Sequence, residues 1–243
     1  MQIDNFYTVL LAAVLPPFLL VLYIWWKDKL QREPFSQMAK GFFYGIISAG
    51  IAIVLETVLS ALSLVPNEPA TLLGAAWKAF VGAAMPEELA KLFMLWLLLR
   101  KNKYFDERFD GIVYAACVGM GFAATENIIY LFSNLDSWES VAVGRAIFAV
   151  PGHFLFAVTM GYFYSMIYFG DAGVRKSSRI FWAPVLLHGT YDALLMMSSV
   201  GTMWSGILLI AFYIFCFKML KLGRARIAEH LERDKEEAPF TEL

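Results

Sequence analysis

Charge is scarce in this sequence. Only 17% of its 243 residues are Asp, Glu, Lys or Arg, whereas 59% are hydrophobic and the mean hydropathy is +0.59. Soluble domains carry about a quarter charged residues, so this shortage excludes a water-soluble fold, and the apolar excess excludes intrinsic disorder. Positive surplus is also missing: the net charge of −1 gives no electrostatic case for nucleic acid as a partner. The two cysteines, Cys117 and Cys216, lie in apolar runs, which excludes a disulfide framework or a zinc knuckle. Met1 to Asn5 carries no basic residue and no small-residue cleavage site follows, so the first apolar run is expected to stay as a span.

What the chain has is long hydrophobic runs. A bilayer core about 30 Å thick takes roughly 20 apolar residues per helix. That length predicts an all-α polytopic protein with seven spans, near 5–26, 39–64, 71–99, 111–133, 143–169, 179–199 and 203–222. The run 71–99 is long, carries Lys78 and is interrupted by Pro86, so 71–85 is a candidate surface or re-entrant helix. Basic residues fill alternate connections: Lys27, Lys29, Arg32 and Lys40; Arg100, Lys101, Lys103 and Arg108; Arg175, Lys176 and Arg179. Under the positive-inside rule this predicts an extracytoplasmic N-terminus and a cytoplasmic C-terminus in a bacterial-type cell membrane. Residues 1–222 read as one transmembrane domain, and the charged stretch 223–243 as a solvated, fraying cytoplasmic tail.

Charged residues inside spans cost about 2.5–3.5 kcal/mol each on insertion scales, so each needs a reason. Here they are Glu56, Glu87, Glu88, Lys91, Glu126 with Asn127, Arg145, His153, and His188 with Asp192. Counted from the cytoplasmic ends of their spans, Glu87, Glu126, His153 and Asp192 fall at roughly 18–24 Å, one narrow layer on four helices. Pro86, Pro151 and Pro184 precede three of the polar groups, which predicts broken helices around a water-reachable chamber.

Each motif also has a plain reading. Lys91 follows Glu87 by four residues and Glu88 by three, and can pair with either as a packing salt bridge. Adjacent helical positions diverge by about 100°, so one glutamate can pair while the other faces the chamber. Glu126-Asn127 can be interhelical glue, with Phe122, Glu126 and Tyr130 on one stripe. Arg145 can be an interface anchor, and Glu56 a supporting or packing residue. Gly41-x-x-x-Gly45 and Gly119-x-Gly121 predict close helix contacts. His188 and Asp192 at i and i+4 suit a metal site or an oriented imidazole.

Glu87, Glu88, Glu126 and Asp192 carry −4 if ionised and Lys91 with Arg145 only +2. Protonation or a divalent cation must close the gap. The favoured resolution is zinc held by His153, His188 and one or both of Glu126 and Asp192. The alternative is a metal-free glutamic mechanism with Glu87 or Glu88 as general base toward water.

Glu87-Glu88-x-x-Lys91, Phe122-x-x-x-Glu126-Asn127, His153 followed by Gly161, and His188-x-x-x-Asp192 resemble the motifs of the PrsW family of intramembrane proteases. Arg32-Glu33-Pro34 and Phe105 through Tyr114 also look like family features. The resemblance spans roughly residues 30–195 and extends distantly to CAAX prenyl endopeptidases, which tend to have histidine where this chain has Glu126. It implies cleavage of a single-pass membrane protein, such as an anti-sigma factor, on the extracytoplasmic side. The expected catalytic set is Glu87, Glu88, Glu126, His153, His188 and Asp192, supported by Lys91, Asn127 and Arg145. An ion- or proton-coupled transporter is the competing class, disfavoured by the lack of an internal repeat. A silent binding or immunity protein is a third.

Overall fold

The computed structural model describes residues 3–170, 178–201 and 203–237, so Arg175 and Lys176 of the third basic connection lie outside it. The chain is 85% helical without strands among the described residues. In order come α1 (Ile3–Lys27), α2 (Phe35–Ala61), α3 (Leu72–Trp77), a π-helical segment (Lys78–Ala84) and α4 (Met85–Leu99). Then follow α5 (Arg108–Ser133), a 3-10 turn (Leu135–Ser137), α6 (Trp138–Gly144), a second π segment (Arg145–Ala149), α7 (Val150–Tyr168), α8 (Arg179–Ser199) and α9 (Ser205–Glu237). Six stretches are long and apolar enough to cross a membrane: Phe6–Lys27, Phe35–Ala61, Arg108–Ser133, Leu135–Tyr168, Arg179–Ser199 and Ser205–Glu237. The protein is therefore polytopic and multi-pass.

The seventh long rod, 72–99, carries the charges Lys78, Glu87, Glu88 and Lys91, which dilute its apolar character. It is one continuous helix, so 71–85 is not a detached surface element, and the helices around the site are not broken at their prolines. A proline lacks the N–H that should bond four residues back, and its ring crowds that carbonyl. In both rods the turn before the proline widens to π geometry. The N–H of Met85, just before Pro86, reaches Phe80 O, and that of Val150, just before Pro151, reaches Arg145 O, each five residues back. Such π turns absorb the misfit and concentrate at functional sites; here they immediately precede Glu87 and His153. Pro184 sits inside ordinary α8.

Helix α5 is the central post, packed by α7, α2 and α1. Its span window is 78% buried inside the protein, against 22% for α2 and 17% for α9, whose apolar faces are left for lipid. Two glycine crossings set its depth. A side chain on Gly45 or Gly121 would run into the opposing backbone of α5 or α2, and one on Gly161 into the backbone at Gly111.

Between residues 223 and 237 the charged stretch, expected to fray, is helical. Helix α9 continues to Glu237 and lays Gly223, Ile227, His230 and Asp234 as a buried stripe on the rest of the fold. Asp234 accepts the backbone N–H of Arg108 at 2.9 Å and of Phe109 at 2.8 Å, capping α5. His230 stacks on Tyr162 at 4.5 Å.

Candidate active site

Glu87 and Glu88 follow the π turn directly, at the start of α4 within the continuous 72–99 rod. Lys91, one turn on, donates to Glu87 Oε2 at 3.1 Å and to Glu88 Oε1 at 2.8 Å. It also contacts His153 Nδ1 at 3.2 Å and lies 3.8 Å from the centre of the Phe122 ring. An ammonium can only donate, so Nδ1 of His153 accepts and its Nε2 carries the hydrogen toward Glu126 Oε2 at 2.8 Å. His188 has carboxylates on both ring nitrogens: Glu88 Oε1 at 2.9 Å from Nδ1, and Asp192 Oδ2 at 3.2 Å from Nε2. Glu87 Oε2 lies 3.9 Å from that same Nε2. Phe156 stacks on the His188 ring at 4.5 Å and fixes its plane.

Four helical rods thus bring Glu87, Glu88, Lys91, Glu126, Arg145, His153, His188 and Asp192 into one connected network. Arg145, on the second π segment, pairs with Glu126 and donates to Asn127 Oδ1 at 2.6 Å, over the Tyr130 ring at 4.2 Å. Asn127 is a donor as well, to Ala13 O of α1 at 2.9 Å.

A cavity of about 690 Å³ opens on this network, lined by Glu87, Glu126, Arg145, His153, His188 and Asp192 with apolar residues of α2, α5, α8 and α9. Glu88 and Lys91 are not among its lining residues. Glu88 is fully buried, whereas the side chains of Glu126 and Asp192 are 21% and 19% exposed. The adjacent glutamates therefore face different ways, Glu87 toward the cavity and Glu88 into protein. Glu56, expected to support or pack, lines the cavity too, and also a second, adjoining one. A charge inside an apolar span is itself the signal that should have placed it there.

The donor atoms that lie closest together overlap in part with the expected metal ligands. Glu87, Glu88, His153 and His188 offer donor atoms that all lie within 4.8 Å of one another. Glu126 and Asp192, expected as ligands, instead hydrogen-bond the ring nitrogens of His153 and His188, the usual position of groups that orient imidazole ligands. The set fits a cation on a further count: Glu88 Oε2 is buried without a hydrogen-bond partner. A buried carboxylate oxygen without a partner leaves negative charge that one more positive centre would balance. Two carboxylates and two imidazoles are a donor set suited to zinc and its neighbours.

A bundle of apolar helices that encloses carboxylates and imidazoles beside a polar cavity has the parts of an intramembrane hydrolase. Comparison with known proteins narrows the class. A family model described as PrsW family intramembrane metalloprotease matches residues 33–220. The chain is 33% identical to Protease PrsW of Clostridioides difficile (strain 630) over 223 residues, covering 90% of this chain and 89% of that one. It is equally 33% identical to Protease PrsW of Geobacillus kaustophilus, covering 90% and 93%, and 30% identical to that of Bacillus subtilis, covering 78% and 83%. No solved structure matches. The chain belongs to the PrsW family of intramembrane metalloproteases, and it is a protease embedded in the lipid bilayer.

Proposed function

We propose that this protease hydrolyses a peptide bond of a single-pass membrane protein of the anti-sigma-factor type, as a first, extracytoplasmic cut. The observation that carries the reading is the exposure of Glu87, alone of the α4 pair, to a cavity it shares with both histidines. Glu87 Oε2 serves as general base to water in that cavity, a role worth about 10²–10⁴-fold in rate. Glu88, held by Lys91 and His188, keeps α4 in register so that Glu87 points outward. Glu126 and Asp192 orient His153 and His188, and Arg145 and Asn127 fix Glu126.

Of the four clustered residues, Glu88, His153 and His188 would hold zinc, which leaves Glu87 beside them free as the base and a fourth position open to water. When bound, zinc supplies Lewis acidity, polarising the scissile carbonyl and lowering the pKa of water. The chain's own residues place the peptide between Glu87 and the histidines, and the apolar cavity walls exclude bulk water from the reacting bond. The basic connections and the end of α9 lie in the cytoplasm in this reading, with the N-terminus outside and residues 1–222 forming the protease domain. A substrate span would meet the cavity toward its extracytoplasmic end.

The test is cleavage-site mapping. The purified protein is reconstituted in liposomes with a single-span reporter whose two flanks carry different tags, and the products are read by mass spectrometry. A cut on the extracytoplasmic flank or outer end of the span is expected. A cut on the cytoplasmic flank contradicts the proposed side.

A further inference from the structure

Lys91 has no part in the proton transfers above, yet it occupies the middle of the site. Its ammonium touches three of the four residues able to hold a metal: Glu87 at 3.1 Å, Glu88 at 2.8 Å and His153 at 3.2 Å. It is 2% exposed, so no solvent shares the load. Ringed by two carboxylates and a lone-pair nitrogen, it meets the same acceptors that a small cation would use. The same donor atoms cannot close on both cations, because nitrogen and oxygen ligands approach zinc at about 2.0–2.2 Å, well inside the contact distance of an ammonium. Nor does the lysine saturate the site, since Glu88 Oε2 stays unpartnered beside it. Two positive centres a few ångströms apart in a buried layer repel strongly.

We propose that Lys91 is a built-in counter-cation that competes with the metal for these donors. It holds Glu87, Glu88 and His153 together in the metal-free protein and lowers the affinity of the site for a divalent ion. The inference rests on the reading of this cluster as the metal site. Its consequence is a protein that inserts and folds without metal and then exchanges an internal cation for an external one.

Metal affinity, rather than activity, tests it. Detergent-purified wild type, Lys91→Met, Lys91→Gln and Lys91→Arg are titrated with Co²⁺ against a chromophoric chelator at fixed pH, and the metal-free melting temperatures are recorded. The neutral variants are expected to bind Co²⁺ about tenfold tighter or more, from loss of the competing charge. Their metal-free forms are expected to melt below wild type, with the gap closing on Co²⁺ addition, while Lys91→Arg binds no tighter than wild type. If Lys91→Met does not fold, Lys91→Gln carries the same comparison. Wild type that binds Co²⁺ with neutral variants binding equally or more weakly overturns the role of Lys91 and leaves the metal site standing. Absence of Co²⁺ binding throughout overturns the metal reading and this inference together.

Discussion

Helix α5 carries an acidic cluster at each end, and the two are built differently. Around its N-terminus gather Asp28, Glu33, Asp106, Glu107, Asp110 and Asp234; toward its other end stand Glu126 and, from neighbouring rods, Glu87, Glu88 and Asp192. At the N-terminal junction the carboxylates mostly accept backbone N–H groups. Asp110 Oδ2 takes those of Asp106 and Glu107 at 3.0 and 2.7 Å, Asp234 those of Arg108 and Phe109, and Asp28 Oδ2 that of Glu33 at 3.1 Å. Tyr114 donates to Glu33. In the chamber the partners of the acids are side chains, Lys91, Arg145, His153 and His188, and a cavity adjoins them. Acids committed to helix caps hold the fold in place. Acids balanced against side-chain cations and imidazoles beside a cavity are placed to move protons or bind a metal.

Substitutions should separate the two ends. The largest effect is expected from His188→Ala, which unmakes the links to Glu88 and Asp192. Cleavage should fall by about 10²-fold or more, measured as rate per folded molecule, and a loss under twofold would argue that the chamber is structural. At the other end, Asp234→Ala should cost about 1–2 kcal/mol of stability through the lost cap of α5, read as a lower melting temperature. Its cleavage rate per folded molecule should match wild type, and a specific drop there would couple the two clusters.

The smallest effect is a pH dependence of stability. Burial pushes Glu33 up to about 7 and Asp28 up to about 6, against the lowering pull of their hydrogen bonds. Burial also raises Glu107 to about 7. Folded protein thus holds protons that the unfolded chain has already released, so unfolding releases them. The contribution is fully present below about pH 4, where both states are protonated, and is lost as pH rises through 6 to 7. Melting temperature should fall between pH 5 and pH 8, and Glu33→Gln should flatten the fall. An unchanged slope in that variant would place the titration elsewhere.

Much of this difference was legible in the sequence, and the rest was hidden for physical reasons. Charges stand out against apolar runs, so the polar layer of Glu87, Glu126, His153 and Asp192 was visible from spacing along helices. Which of two adjacent glutamates faces a cavity depends on the rotation of α4 against its neighbours, and spacing alone leaves that open. The π turns were invisible because the same proline can break, kink or be absorbed. The buried stripe Gly223, Ile227, His230 and Asp234 does follow helical periodicity. Half of it is polar, and polar residues at the end of a chain read as solvated until their caps and stacking partners are known.

The central claim is that the chamber, and not the junction, performs the chemistry, with Glu87 as its base. Its most direct test is the cleavage rate of reconstituted Glu87→Gln on a single-span reporter, corrected for folded protein and set beside Asp234→Ala. Glu87→Gln is expected to fold and to cleave about 10²–10⁴-fold more slowly, while Asp234→Ala keeps the wild-type rate. Cleavage by Glu87→Gln at the wild-type rate would contradict it.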